Sequence, residues 1–474
     1  MPVAVGFTPV HSFLGGLILS SSVSALLVQT GTVLGISGFF HSFVASIFIR
    51  IPRTLFHQLS SSSSTSHNAA TKQQTSDHTA QSTARFFTLG LLSSGLLLAA
   101  GRRSFEGKLG IQLFDDALST SDIVSPISSS PLTTLLLGIF LPGFLVGVGT
   151  KLGSGCTSGH FLCGLSRLSP RSIAATATFF SIAVVTNLLQ PLAHLLPYHP
   201  SSRSAPSTQA PFNPEPLLLL AFQIPAFVYW VISPRVIAGR GPHDDTPEAQ
   251  AEHKRRHEEA ARVTSFSTGV HFGIGLALSG MLRPSKVTGF LNLSPAHFAQ
   301  GTWDPSLAMV ALGGILPASF HYFTYILPKV RAQRGMQQQQ QQHQQSAEQH
   351  LSTSKSTAAM AVAPSLSAAA PLWRVPVSQW GSLASTRIDT RLIAGAALFG
   401  VGWGLSGLCP GPVLVSLGGN TVPPPPTSDA GLQLSQSSPW EKLRDGLLAQ
   451  PGTAGSLIAT ALFTASMAIG GLLV

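Results

Sequence analysis

Charged side chains are scarce in this chain of 474 residues. Asp, Glu, Lys and Arg together make up 10% of it, against about 25% in ordinary soluble domains. Apolar residues make up 44%. A soluble chain of this length needs far more charge to cover its surface. The scarcity excludes a disordered tail, a coiled coil and an ordinary cytosolic enzyme, and it indicates a chain that is solvated largely by the lipid bilayer.

Acidic residues are fewer than basic ones, 18 against 28, which gives a net charge of +10. The basic residues form no stripe interleaved with aromatics, so nucleic acid is not expected as a partner. Three cysteines without a Cys-x-x-Cys pair exclude a disulfide framework. The Gly-x-x-x-x-Gly-Lys-Ser/Thr motif of ATP-binding loops is also missing. No cofactor and no metal site is therefore implied, and the His/Gln tract at 337–350 is interpreted as low-complexity sequence.

Long hydrophobic runs dominate what is present. A helix needs about 20 mostly apolar residues to cross a bilayer, and nine segments approach or exceed this length. They are 9–50, 85–101, 132–165, 172–193, 216–234, 266–293, 305–328, 390–418 and 454–474. The prediction is an all-α, polytopic membrane protein with about nine transmembrane segments. The plasma membrane is the preferred location, with an organelle membrane as the alternative.

Three of the hydrophobic segments are longer than one span and are interrupted by glycine or proline. They are 9–50, 132–165 and 390–418. Broken helices at membrane depth are tolerated only where they are buried in protein or line a cavity. The sequence therefore predicts re-entrant or broken helices at these three places.

Polar, low-complexity tracts separate the hydrophobic segments. Such compositions cannot bury a core, so we expect disordered insertions in a single membrane transport domain covering 1–474. The expected insertions are 52–84, 238–262, 331–388 and 420–450.

An internal repeat is visible in two glycine-rich motifs. The stretch GVGTKLGSGC (147–156) matches GVGWGLSGLC (400–409) at an offset of 409 − 156 = 253. Val33-Leu-Gly35 matches Val287-Thr-Gly289 at an offset of 254. Five spans separate equivalent elements, and an odd number reverses the chain direction through the membrane. The prediction is two inverted repeats, a common carrier design. Repeat one covers 8–193, repeat two covers 266–474, and the span 216–234 links them.

Each repeated motif ends in a cysteine followed by residues that start a helix. Cys156 lies in a Gly/Ser turn, and Cys409 precedes Pro410, a residue suited to the first helical position. Helix N-termini attract anions, and a thiol is a weak donor and a potential nucleophile. The predicted substrate path consists of Ser154, Gly155, Cys156, Thr157, Ser158, Gly159, His160, Cys163, Cys409, Pro410 and Gly411.

Two of these residues have equally good alternative interpretations. Cys163 lies seven residues after Cys156, two α-helical turns along the same face, and either extends the path or only packs as a small apolar side chain. His160 either donates to an anion or caps and packs the turn. No catalytic residue is assigned.

These motifs resemble the YeeE/YedE family of sulfur-transport membrane proteins. The similar stretches are 8–39, 147–172 and 397–418. The resemblance implies an all-helical, hourglass-shaped carrier whose cysteines line a central path, and the characterised members take up thiosulfate. Cys156 and Cys409 match the central cysteine positions of the two halves. The first turn, Gly35-Ile-Ser-Gly38, lacks the cysteine that the bacterial thiosulfate carriers have there.

The expected function is therefore transport of a small sulfur-containing anion, with thiosulfate as the best guess. One alternative is a membrane sulfurtransferase that carries a persulfide on Cys156 or Cys409. That reaction would need a base, for which His160 offers itself, and an accessory sulfur-carrier protein as donor. The other alternative is a non-transporting membrane scaffold. A small sulfur anion and the lipid bilayer are the expected partners of a carrier.

Overall fold

The computed structural model describes most of the chain and shows only helices as regular structure in that part. The described residues are 7–48, 67–114, 136–189, 215–238, 246–300, 303–332, 387–422 and 454–474, with a few isolated residues between 333 and 342. The first repeat contains α1 Pro9–Thr30, α2 Ile36–Phe48, α3 His67–Ala100, α4 Arg102–Leu109, α5 Leu136–Leu152, α6 Thr157–Gly164 and α7 Pro170–Leu189.

The linking helix and the second repeat complete the described chain. They contain α8 Pro216–Ile237, α9 Pro247–Leu278, α10 Pro284–Leu291, α11 Pro295–Gln300, α12 Ser306–Ala332, α13 Thr390–Ser406, α14 Pro410–Gly419 and α15 Ala454–Leu472.

Five described helices are long and apolar enough to cross a membrane, and two bent pairs raise the number to seven. The five are α1, α7, α8, α12 and the Gln81–Ala100 part of α3. The bent pairs are α5–α6, with an angle of 48°, and α13–α14, with an angle of 41°. The all-α, polytopic architecture with broken helices is therefore confirmed, whereas the number nine stays a prediction.

Glycine ends α1 and α13 before their breaks, and proline opens α14 after one of them. Gly31 and Gly407 end α1 and α13 in the left-handed conformation, each at φ = 66°. That conformation is strained for residues with a Cβ atom. Pro410 opens α14 at a position where its missing N–H costs nothing. A helix can therefore end and the next one can begin within one hydrophobic segment.

Equivalent helices of the two repeats run antiparallel to each other. A Cβ atom added to Gly149 would lie 2.3 Å from the backbone nitrogen of Phe399, and one added to Gly402 would lie 2.9 Å from that of Val146. Residue numbers thus fall along α5 as they rise along α13. The same holds for α1 and α9, where Ser22 contacts His271 and Thr264 contacts Gln29. An internal two-fold axis along the helices would leave them parallel, so the repeats are inverted.

Helices of each repeat also pack on helices of the other repeat. α3 packs on α9 as α12 packs on α1, and α7 packs on α13 as α15 packs on α5. The re-entrant helices pack within their own repeats in matching ways, with α6 against α7 and α14 against α15. Small residues allow these close approaches between membrane helices.

The sequence match between Val33-Leu-Gly35 and Val287-Thr-Gly289 is wrong as a structural equivalence. The first stretch lies in the linker before α2, and the second lies inside α10. The starts of α2 and α10 give an offset of 284 − 36 = 248 instead. The C-terminal glycines of the preceding helices, Gly31 and Gly280, are both left-handed and agree with this shorter offset. Three-residue matches in apolar sequence carry too little information to fix a register.

Part of the predicted disorder is also wrong, because the charged run of 238–262 is helical from Pro247 onward. Thr246 caps α9 by accepting from the Ala249 N–H at 3.3 Å. The guanidinium groups of Arg255 and Arg256 both donate to Glu252 at 2.9 Å, and these hydrogen bonds lower the pKa of Glu252 to about 2. Extending an existing membrane helix avoids the cost of nucleation.

The other predicted insertions are described only in part. α3 begins at His67, inside the predicted insertion 52–84, so that insertion is also helical near its end. Most of the insertions 331–388 and 420–450 lies outside the described residues.

Candidate substrate site

Two cysteines cap the re-entrant helices in the same backbone conformation. Cys156 precedes α6 with φ = −123° and ψ = −166°, and Cys409 precedes α14 with φ = −129° and ψ = 167°. Both are extended, as N-cap residues commonly are. Equivalent cysteines of the two inverted repeats therefore occupy equivalent places at helix N-termini.

Both cysteines line one cavity of about 770 Å³. The Thr157 hydroxyl donates to the Cys409 sulfur at 3.6 Å, which joins the start of α6 directly to the start of α14. The Cys156 sulfur and the Ser158 hydroxyl lie 3.1 Å apart. All three cysteines of the chain are free thiols. The cavity thus contains two thiols and two hydroxyls contributed by paired helix termini.

A third helix N-terminus reaches the same cavity. Ile36, the first residue of α2, lines the cavity, and its N–H donates to the Ser158 hydroxyl at 3.3 Å. The break in the segment 9–50 was predicted, but no residue of α2 was assigned to the path. The starts of α2, α6 and α14 therefore meet at one place, where their dipoles favour negative charge.

Aromatic side chains form much of the remaining wall. The Phe179 and Phe180 rings lie 5.9 and 6.3 Å from the Trp403 ring, and Phe180 also packs on Phe290 at 5.7 Å. All four residues line the cavity. No Asp, Glu, Lys, Arg or His of the described chain is among the lining residues. Sequence reasoning did not assign Trp403 to the path, although its place in the repeated motif was a signal.

Several predicted path residues lie outside the cavity wall. Thr157, Ser158 and Gly411 line it together with the two cysteines, whereas the others support the turns around it. The supporting residues are Ser154, Gly155, Gly159, His160 and Pro410.

His160 holds the turn between α5 and α6. Its Nε2 lies 3.0 Å from the Gly153 carbonyl oxygen, and its Nδ1 lies 3.3 Å from the Ser172 hydroxyl. The ring is buried, and it fills the space beside Gly155, where an added Cβ would lie 2.7 Å from Nε2. The capping interpretation of His160 fits this geometry, and a role in substrate contact does not.

Cys163 does not share the face of Cys156. Its thiol donates to the Leu34 carbonyl oxygen at 3.5 Å, next to a separate small space that Arg167 also lines. The prediction of a common face assumed α-helical turns, but α6 is π-helical. Its bonds close five residues apart, so a turn holds more residues and a spacing of seven no longer returns to one side.

Replacing His160 by Ala tests whether its contacts with Gly153 and Ser172 stabilise the turn between α5 and α6; we call these contacts the clamp. The change leaves the buried Gly153 carbonyl without its partner, and an unsatisfied buried group costs about 1–3 kcal/mol. We expect a lower midpoint of thermal unfolding in detergent, independent of added thiosulfate. Ser172→Ala, which removes only the weaker contact, is the matched control and should lose less. Equal stability of H160A and the wild type would contradict the clamp.

No group of three or more His, Cys, Asp or Glu side chains suited to a metal ion occurs in the described part of the chain.

Comparison with known proteins finds one family and several relatives described as probable transporters. Residues 261–335 and 373–425 match a family of unknown function, DUF6691. A protein of Xylella fastidiosa strain 9a5c, described as a probable transporter, is 32% identical over 155 residues, which are 33% of this chain and 73% of the relative. A counterpart in strain Temecula1 has the same description and identity, with 72% of its length covered.

A shorter match has higher identity. Another Temecula1 protein described as a probable transporter is 54% identical over 48 residues, which are 10% of this chain and 36% of that protein. No solved structure matches the chain. The resemblance to YeeE/YedE proteins stays a prediction. Since the chain covers 73% of the strain 9a5c protein at 32% identity, it belongs to the family of that Xylella fastidiosa probable transporter.

Proposed function

We propose that this protein is a membrane carrier of a small sulfur-containing anion, with thiosulfate as the preferred substrate. The observation that carries the proposal is the meeting of two cysteine-capped helix N-termini at one cavity, joined by the contact between Thr157 and Cys409. The relatives described as probable transporters support the transport part of the proposal. The sulfur part rests on the chemistry of the thiols.

Electrostatics favour an anion at this place. Each helix N-terminus carries the equivalent of about half a positive charge, and three such termini converge here without a lysine or arginine in the described wall. Dipoles and weak S–H donors attract an anion without trapping it, and a carrier must release what it binds. The polarisable outer sulfur of thiosulfate suits thiols and the surrounding aromatic rings better than an all-oxygen anion does.

The inverted repeats give the site a means of alternating access. Substrate sites in such carriers lie where broken helices of the two repeats meet, and rocking of one repeat against the other opens each side in turn. Here the broken helices α6 and α14 come from opposite repeats. The cavity that both helices line supports the proposal that the substrate binds between the repeats.

Persulfide chemistry fits the site less well than carriage does. A sulfurtransferase needs a base near its nucleophile and access for a donor protein. Both ring nitrogens of His160 are engaged, and its ring lies outside the cavity wall. Cys156 is 1% exposed and Cys409 5% exposed, so a docked protein would not reach either sulfur.

Uptake of thiosulfate labelled with ³⁵S by a host lacking its own carriers tests the proposal. Cells making this protein should accumulate label above cells with an empty vector, and excess unlabelled sulfate should compete weakly. A protein that reaches the membrane in folded form and yields no uptake would overturn the proposal and favour a scaffold. A persulfide that forms and turns over on Cys156 or Cys409 would favour the sulfurtransferase.

Two substitutions of Cys156 distinguish whether transport needs a hydrogen-bond donor at this position or the sulfur atom itself. Cys156→Ser retains one hydrogen-bond donor and discards the polarisable sulfur, whereas Cys156→Ala discards both. We expect C156S to retain more uptake per folded molecule than C156A, because the anion still meets a donor beside Ser158. Equal loss in the two variants would show that sulfur itself is required. Membrane abundance of each variant is the control.

A further inference from the structure

A buried histidine lies on α9, a helix that lines the cavity through Phe272 and Leu276. His271 is on α9, directly before Phe272, which lines the cavity. Its side chain is 0% exposed. Ionisable groups inside a membrane are costly to bury, and they commonly mark ion or proton pathways. His271 is absent from the predicted substrate path, and the carrier described above does not use it.

Hydroxyl groups from two other helices surround one side of the imidazole. The Tyr229 hydroxyl of α8 lies 2.7 Å from Nδ1, and the Ser22 hydroxyl of α1 lies 3.4 Å from it. The Ser21 hydroxyl in turn contacts the Tyr229 hydroxyl at 2.8 Å and accepts from the Trp230 indole N–H at 3.2 Å. The Nδ1 side of His271 is thus fixed in a network linking α1, α8 and α9.

The opposite nitrogen, Nε2, is buried and has no hydrogen-bond partner among the described residues. When Nδ1–H donates to the Tyr229 oxygen, Nε2 presents a free lone pair in the protein interior. A proton can bind there without breaking any bond, and the ring becomes a cation. Buried polar atoms without partners are uncommon in folded proteins and call for a functional explanation.

No fixed charge competes with this position in the described parts of the neighbouring helices. α9 packs against α1, α3, α8 and α14. Arg85 on α3 and Arg235 on α8 are exposed, and Lys72 and Asp77 precede the apolar part of α3, which begins at Gln81. α8 presents Tyr229, α1 presents serines, and at the adjacent turn of α9 the contacts of Gly273 are with Ser94 and Val415. His271 is therefore a titratable group on a cavity-lining helix that can become a cation in the protein interior without a fixed charge described next to it.

An anion in the cavity would be stabilised by a cation of this kind. An anion that enters loses water and meets a wall without a positive side chain in the described chain, and helix dipoles compensate only part of that loss. We infer that His271 binds the coupling proton of the carrier, so that a proton and the anion move together. This inference rests on the proposed function. The proton supplies countercharge while the anion is inside, and both are released on the far side.

Proteoliposomes containing the purified full chain test the inference. Exchange of ³⁵S-thiosulfate at equal pH on both sides first measures carriage itself. An inwardly directed gradient of about one pH unit should then raise accumulation by up to about tenfold, because one proton moves with each anion. A pH-sensitive dye inside should report acidification when thiosulfate is added. His271→Gln should retain exchange and lose both gradient effects. His11→Gln is the control, since His11 is a buried histidine that contacts the Leu109 carbonyl oxygen instead.

The outcomes distinguish this inference from the function on which it rests. Wild-type exchange without gradient-driven accumulation or internal acidification overturns proton coupling and leaves the carrier intact. Wild-type coupling in H271Q assigns the proton to another group and overturns the role of His271. No exchange by folded wild-type protein overturns the proposed function, and the inference fails with it. If H271Q does not fold, Tyr229→Phe removes the Nδ1 contact instead, and unchanged coupling in Y229F overturns the network described here.

Discussion

Replacing Cys409 by Ala is expected to lower thiosulfate uptake per folded molecule by about tenfold or more, equivalent to ~1.4 kcal/mol of lost stabilisation along the transport path. Cys409 occupies the N-cap position of α14 at the cavity, and its sulfur accepts from Thr157, so its removal takes away this contact between the starts of α6 and α14. Folding should persist, because the change deletes one buried atom and leaves the backbone of the turn as it is. Uptake of labelled thiosulfate, divided by the amount of protein at the membrane, measures the effect.

Cys163→Ala is the matched control for this experiment. Cys163 is a buried thiol of α6, but it contacts the Leu34 carbonyl oxygen and does not line the cavity. The control should retain most of the uptake. Loss of uptake in C163A with retention in C409A would show that the anion follows the other side of α6, and the assignment of the cavity would be wrong.

Replacing Gly149 by Ala is expected to have the largest effect on stability, at about 3 kcal/mol or more. Its added Cβ would lie 2.3 Å from the backbone nitrogen of Phe399, where no side chain can move aside. α5 and α13 would have to separate, and forced overpacking costs about 1–3 kcal/mol, occasionally more. We expect a clearly lower unfolding midpoint in detergent and less monodisperse protein in size-exclusion chromatography.

Gly38→Ala provides the comparison for the glycine experiment. Gly38 lies inside α2, and no heavy atom would come within 4 Å of an added Cβ. Alanine also has the higher helix propensity, so G38A should be as stable as the wild type or slightly more stable. If G149A is as stable as G38A, the close crossing of α5 and α13 does not hold the repeats together.

Local signals were sufficient to predict the architecture. Apolar runs of membrane-spanning length predict helices because a bilayer leaves the backbone no other way to satisfy its hydrogen bonds. The repeated motif ending in Cys156 and Cys409 predicts paired helix breaks. Glycine and proline alter the backbone locally, so their effect can be predicted from their positions in the sequence. The odd number of spans between equivalent elements predicts that the repeats are inverted, and the antiparallel crossing of α5 with α13 agrees with this.

The prediction from α-helical periodicity was wrong where a helix departs from α geometry. The face of Cys163 was predicted from 3.6 residues per turn, and the π-helical turns of α6 rotate it away. The charged run after Thr246 was interpreted from composition alone, which cannot show that an apolar helix continues through it.

The sequence by itself determined that this is a polytopic helical membrane protein with two inverted halves and a cysteine at each central break. Those properties follow from composition, length and local backbone preference. Only the tertiary structure decided which side chains meet: that Ile36 of α2 lines the cavity and contacts Ser158, and that His271 contacts Ser22. Contacts between residues more than a hundred positions apart depend on how whole helices cross, and no local pattern in one sequence specifies that packing.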